Sequence, residues 1–313
     1  MFSCKNKTEK LDEQNRTISQ ISLELLDFPN DTSLLIERRD MYLEDSLWSE
    51  AITDQLQLFL TDTTNVKYRF DLADLYYNHA TINVDYFSLS YDLVRGNYEY
   101  APILLLRAKL NYLIQNYKSS LSDINEYLPI KPFDSEAYYY KGMNFKEMGD
   151  LTLAKSQFQT AVEQNPNFID AYEQLAFIYS YNNDTLAEYY YINAIELDST
   201  QLHSWYNLGM YYQKLGKFNK AKEAYTFIIQ NDSANTNTHY NLAYVNLELQ
   251  DYYAAIQHIE IVLQYNSDFA PAYFSRGLAY KYLGDKDRAQ SDFEQTLILD
   301  RSFIEAELEL NGL

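Results

Sequence analysis

One interval governs this chain. Trp205-x-x-Leu208-Gly209-x-x-Tyr212 is followed by Ala221-x-x-x-Tyr225. Thirty-four residues on comes His239-x-x-Leu242-Ala243 with Ala255-x-x-x-Ile259, and after another 34 comes Tyr273-x-x-Arg276-Gly277-x-x-Tyr280 with Ala289-x-x-x-Phe293. Upstream stand Tyr138-x-x-Lys141-Gly142-x-x-Phe145 with Ala154-x-x-x-Phe158, and Tyr172-x-x-Leu175-Ala176-x-x-Tyr179 with Ala187 and Ala194, a unit one residue short. Spacings of three and four place these side chains on one stripe of a helix, so each unit reads as two amphipathic helices joined by a turn. A period of this length in which size recurs in register means that each unit buries its apolar face on its neighbours. With 8 Gly and 6 Pro in 313 residues, the chain has little material for a sheet-and-turn architecture.

Counting from the first residue of each unit, a small residue at position eight and an alanine at position twenty let the paired helices approach. Large residues at positions four, eleven and twenty-four fill the space between them. Gly149, Gly216 and Gly284 fall where the first helix ends, and Pro132 and Pro166 fall after the second. The register predicts eight units beginning at 32, 66, 101, 135, 169, 202, 236 and 270. The unit at 66 loses its position-twenty alanine to Asp85, and the unit at 32 carries Arg38-Arg39 where Leu-Gly is usual. Residues 17–31 contain an additional helix and 303–313 a closing one; residues 1–16 form a polar tether ahead of an uninterrupted array over 32–302.

The pattern of small residues and bulky partners resembles the tetratricopeptide repeat (TPR). The resemblance implies an all-α, right-handed superhelical solenoid with a concave face lined by the first helices. In that family, ligands lie along first-helix positions two, five, nine, twelve and thirteen. Carried onto this sequence, the stripe contains Tyr139, Met143, Phe177, Tyr181, Tyr206, Met210, Tyr240, Tyr244, Phe274 and Tyr282. Tyrosine and methionine offer large contact area, and tyrosine adds a hydroxyl. The same aromatics could instead pack against neighbouring units, but the core positions are already filled by other residues, which favours a binding groove. Positions five and nine of the last six units hold one Lys (Lys109) and one Glu (Glu173), so the groove reads as mainly aromatic and apolar. The Lys–Asn pair with which chaperone-tail binders hold a terminal carboxylate is absent from these units. The partner implied is a protein or peptide segment.

Lys+Arg total 25 against 45 Asp+Glu, a formal charge of −20, which excludes the basic footprint of a nucleic-acid binder. The four histidines and one cysteine show no zinc spacing, and no phosphate loop or nucleophile elbow occurs, so the sequence gives no reason to expect an enzyme or a cofactor. No apolar run approaches the roughly 18 residues of a membrane span.

The lone cysteine, Cys4, stands in Phe2-Ser3-Cys4, which resembles the end of a bacterial lipoprotein signal peptide. The resemblance implies lipidation of Cys4 and an outer-membrane-anchored protein facing the periplasm, in envelope assembly or secretion. The basic and apolar segments of that pattern are not among these residues. The alternative is a cytoplasmic scaffold, or co-chaperone-like adaptor, with Cys4 unmodified.

Overall fold

The computed structural model describes residues 16–81, 83–96 and 99–313, and Cys4 with its expected lipid lies outside the described residues. Among the described residues there are 18 α-helices and no strand. Their contacts divide the chain into two units, the first ending at Met148 and the second beginning at Gly149.

In the first unit, α1 (Ile18–Asp27) precedes three helix pairs and a single helix. The pairs are α2 (Thr32–Glu44) with α3 (Trp48–Thr61), α4 (Val66–Asn78) with α5 (Asp85–Val94), and α6 (Ala101–Leu113) with α7 (Tyr117–Tyr127); α8 (Ser135–Glu147) closes the unit. The second unit opens with α9 (Leu151–Gln164). The pairs α10 (Ile169–Tyr181) with α11 (Leu186–Leu197), α12 (Leu202–Lys214) with α13 (Phe218–Asn231), α14 (Thr236–Glu248) with α15 (Tyr252–Tyr265), and α16 (Ala270–Tyr282) with α17 (Lys286–Leu299) follow, and α18 (Ile304–Asn311) ends it. Within each unit a helix packs on its chain neighbours, and first helices of adjacent repeats also meet, as α4 with α6 and α14 with α16. This is a helical repeat array, and its eight first helices begin at 32, 66, 101, 135, 169, 202, 236 and 270, the starts that the register predicts.

Local chemistry sets these boundaries. Asp31, Asn65 and Asp134 each accept from two backbone N–H groups in the first turn of α2, α4 and α8. Position fifteen, in the turn after the first helix, is left-handed in seven of the eight repeats. It is occupied by Gly149, Gly216 and Gly284 (φ 69–86°), but also by Ser46, Gln115, Asn183 and Gln250 (φ 56–62°). The turn geometry therefore persists where glycine does not, at a steric cost of roughly 1–2 kcal/mol per non-glycine residue.

The small residue at position eight has a specific opponent. A Cβ placed on Gly209 would stand 2.5 Å from the Tyr225 ring, and one on Gly277 would stand 2.7 Å from the Phe293 ring. Where position twenty-four is isoleucine, alanine suffices: Ala108 shares a core cluster with Ile124, and Ala243 with Ile259. In the first repeat both members are polar, and Arg39 Nη1 donates to Gln55 Oε1 at 2.5 Å. The irregular first repeat is thus complementary in its own terms.

A second pairing, sixteen residues apart, is absent from the sequence reading. Arg38, Arg107 and Arg276 occupy position seven, and each grips the aspartate at position twenty-three with two nitrogens. The distances are 2.9 and 2.7 Å to Asp54, 3.0 and 2.6 Å to Asp123, and 2.8 Å twice to Asp292. All three aspartates are buried, and the hydrogen bonds to them raise each arginine above its ordinary pKa.

The repeat at 66 requires a correction. Asp85 does not take the place of its missing alanine; it opens α5, three residues later than the spacing in six of the other repeats. The buried small residue is Ser90, whose Oγ donates to Ala73 O at 2.7 Å across the pair. The longer turn displaces the second helix along the sequence, which hides Ser90 from a fixed period.

Candidate peptide-binding cavity

Tyr240, Tyr244, Phe274 and Tyr282 line one cavity of about 590 Å³ in the second unit. α14 contributes Tyr240, Tyr244, Leu247 and Glu248, and α16 contributes Phe274, Ser275, Leu278 and Tyr282. Gln250, Tyr252, Phe303 and Glu305 complete the wall. The spacing of four between Tyr240 and Tyr244, and again between Phe274 and Leu278, puts each pair on one stripe of its helix.

The rings brace one another. Tyr252 stacks on Tyr282 with centroids 5.1 Å apart and planes at 22°. Phe274 touches Phe293 on the core side and Phe303 on the other, at 5.8 and 4.9 Å. Tyr240 meets Phe269 edge-on at 5.1 Å. Tyr240 and Phe274 are half-buried, whereas Tyr244 and Tyr282 keep 40% and 60% of their surface exposed. The wall is therefore fixed at its base and open at its lip, which suits contact with another molecule. Burial, with Glu248 nearby, raises the Tyr244 phenol above its ordinary pKa, so it stays a hydrogen-bond donor at neutral pH.

The other stripe residues are distributed differently. Tyr206 is half-buried and its hydroxyl accepts from Asn241 Nδ2 at 3.0 Å; the same amide approaches Met210 Sδ at 3.5 Å. Tyr206 and Tyr240 also share a smaller cavity of about 160 Å³. Phe177 and Tyr181 on α10 are exposed and outside these walls. Tyr139 and Met143 lie on α8 in the first unit, half-buried, with Tyr139 edge-on to Tyr140 at 5.5 Å. The structure thus brings four of the ten stripe residues together. It also adds Phe303 and Glu305, which enter from the closing helix and which repeat spacing cannot find.

His239 Nε2 lies 3.0 Å from the Ser233 carbonyl and His239 Nδ1 lies 2.9 Å from His258 Nδ1. Because the carbonyl only accepts, His239 carries its proton on Nε2, and its Nδ1 accepts from His258. Among the described residues no three His, Cys, Asp or Glu side chains are grouped to hold a metal ion, and no helix is long and apolar enough to cross a membrane.

Family models described as tetratricopeptide repeat match residues 136–167, 202–234 and 270–302. Tetratricopeptide repeats are present in this chain. Human tetratricopeptide repeat protein 6 is 25% identical over 160 residues, 50% of this chain and 31% of its own length. RNA polymerase II-associated protein 3 of Xenopus laevis is 31% identical over 121 residues, 39% of this chain and 18% of its own. The chain thus spans about a third or less of these relatives. Among solved structures, the C-terminal part of a TPR repeat-containing protein from Cytophaga hutchinsonii aligns with a TM-score of 0.63. It is 21% identical and covers 76% of this chain and 97% of that one. YrrB, described as a TPR protein with an unusual peptide-binding site, aligns at 0.55 with 15% identity over 61% of this chain and 98% of its own. At these identities the likeness is one of fold.

Proposed function

We propose that this protein is a non-enzymatic adaptor that grips an extended or helical segment of a partner protein between the TPR helices α14 and α16. The observation that carries this reading is the aromatic cavity itself. Four tyrosines and two phenylalanines surround about 590 Å³, and two of the tyrosines stay well exposed. Such rings supply contact area at small entropic cost, which is why they dominate binding energies at interfaces. A photocrosslinking amino acid at Leu278 is expected to capture a discrete partner in cells. The adduct should be lost in a Tyr244→Ala/Tyr282→Ala variant that keeps its helical circular dichroism. A crosslink indifferent to that variant removes the cavity from the interface.

The same reading places the adaptor at the bacterial outer membrane, facing the periplasm and serving envelope assembly or secretion. Its support is Phe2-Ser3-Cys4. Mass spectrometry of the native protein checks it: an acylated Cys4 is expected, and an unmodified one returns the protein to the soluble-scaffold alternative.

A further inference from the structure

We infer that the α14–α16 cavity takes a lysine or arginine side chain from a basic segment of the partner protein. This rests on the adaptor reading above and names the chemistry of its partner.

The chain itself shows how it holds cations. In the first unit Lys109 lies over two tyrosine rings, with Nζ 5.9 Å from the Tyr77 centroid and 5.7 Å from that of Tyr140. Its charge is met by Glu136 at 2.6 Å. In the second unit Lys220 repeats the arrangement, with Nζ 5.1 Å from the Tyr212 ring and 2.7 Å from Glu188. Each time, tyrosine faces solvate the ammonium group and one carboxylate neutralises it, a combination stronger than either contact alone.

The α14–α16 cavity is built from the same parts. Six aromatic residues and two carboxylates, Glu248 and Glu305, line it, and no Lys, Arg or His does. Neither carboxylate forms an ion pair among the described residues. Here the cavity lining supplies the aromatic rings and the negative charge of a lysine cage, while the positive charge must come from another molecule. The formal charge of −20 steers a basic segment toward it. A bare metal ion fits poorly, because among the described residues no third His, Cys, Asp or Glu is grouped with the two carboxylates to hold one. The volume leaves room for the residues on either side of a cationic side chain.

The test uses fluorescein-labelled 12-residue peptides with Gly-Ser flanks around a central Leu-Arg-Leu-Lys-Leu. Two companions carry glutamine or glutamate at both cationic places. Binding is followed by fluorescence polarisation at 0.15 M salt. The cationic peptide should bind about tenfold tighter than the glutamine peptide, a difference of about 1.4 kcal/mol. Glu248→Gln/Glu305→Gln should abolish most of that preference, whereas Glu163→Gln/Glu196→Gln, which removes the same charge from exposed positions elsewhere in the second unit, should preserve it. If the glutamine or glutamate peptide binds equally well and Tyr244→Ala/Tyr282→Ala weakens all three, the inference falls and the adaptor reading survives. If the two Glu→Gln pairs weaken the cationic peptide equally, the attraction is general acidity and the inference also falls. If no peptide responds to the tyrosine variant, the cavity reading fails with it.

Discussion

The repeats over 101–127 and 202–231 build the same helix pair from opposite chemistry. In the first, positions seven and twenty-three are Arg107 and Asp123, a buried ion pair to which Asn111 adds a hydrogen bond of 3.1 Å. In the second the same positions are Leu208 and Ala224, both buried. The size contrast at positions eight and twenty-four is modest in the first, Ala108 with Ile124, and extreme in the second, Gly209 with Tyr225. At position fifteen, glutamine is left-handed in one and glycine in the other. What the repeat conserves internally is therefore complementarity between facing positions, and the identity of each residue is free so long as its opponent changes with it.

Breaking one partner is expected to expose this most strongly. Arg107→Leu strands the buried Asp123 carboxylate and should cost about 3–5 kcal/mol by chemical denaturation. Arg107→Leu/Asp123→Ala, which imports the chemistry of the other repeat, should recover most of that loss. A double variant no more stable than the single one would show that the pair is not interchangeable with apolar packing.

Gly209→Ala should cost about 1–3 kcal/mol, because its methyl group overlaps the Tyr225 ring. Adding Tyr225→Ile, which copies Ala108 with Ile124, should relieve the overlap, and thermal unfolding of the three variants checks it.

The repeat over 236–265 offers a third solution, with Leu242 at position seven and His258 at twenty-three. Burial holds His258 down to about 4 from its ordinary 6.5; His239 and Lys222 push the same way, and Asp251 opposes. The unfolded chain therefore binds more protons than the folded one between these values. The contribution from neutral His258 is complete above about pH 6.5 and is lost as pH falls toward 4. Substituting His258→Met should flatten this part of the melting-temperature profile relative to the unsubstituted protein, and parallel profiles would contradict it.

The smallest effect is conformational. Gln115→Gly should stabilise by about 0.5–1 kcal/mol by removing a left-handed side-chain clash, while Gly216→Gln should do the reverse. Equal melting curves would place the strain elsewhere.

Much of the fold is legible in the residues because helix starts follow from where small residues recur. Ala73 and Gly209 mark the same position although their surroundings differ. Arg38, Arg107 and Arg276 were harder to read. An arginine in place of leucine looks like decay of the pattern until its aspartate, sixteen residues on, is seen to grip it. Ser90 was concealed by a longer turn that shifts the spacing. In the cavity, Tyr240, Tyr244, Phe274 and Tyr282 stand at first-helix positions that the TPR resemblance implies for ligand contact, but Phe303 and Glu305 depend on how the closing helix docks, which no period encodes. Tyr139 and Phe177 share the stripe by spacing alone and lie outside the cavity walls.

The Lys109 cage has a mechanical consequence. Tyr77 belongs to the repeat at 66, Lys109 to that at 101, and Tyr140 with Glu136 to that at 135, and the hydroxyls of Tyr77 and Tyr140 meet at 3.3 Å. Arrays whose members touch only their neighbours fray one hairpin at a time. A knot through the first helices α4, α6 and α8 makes the middle one unable to loosen alone, so these three helices should melt as a block and exchange their amide protons together.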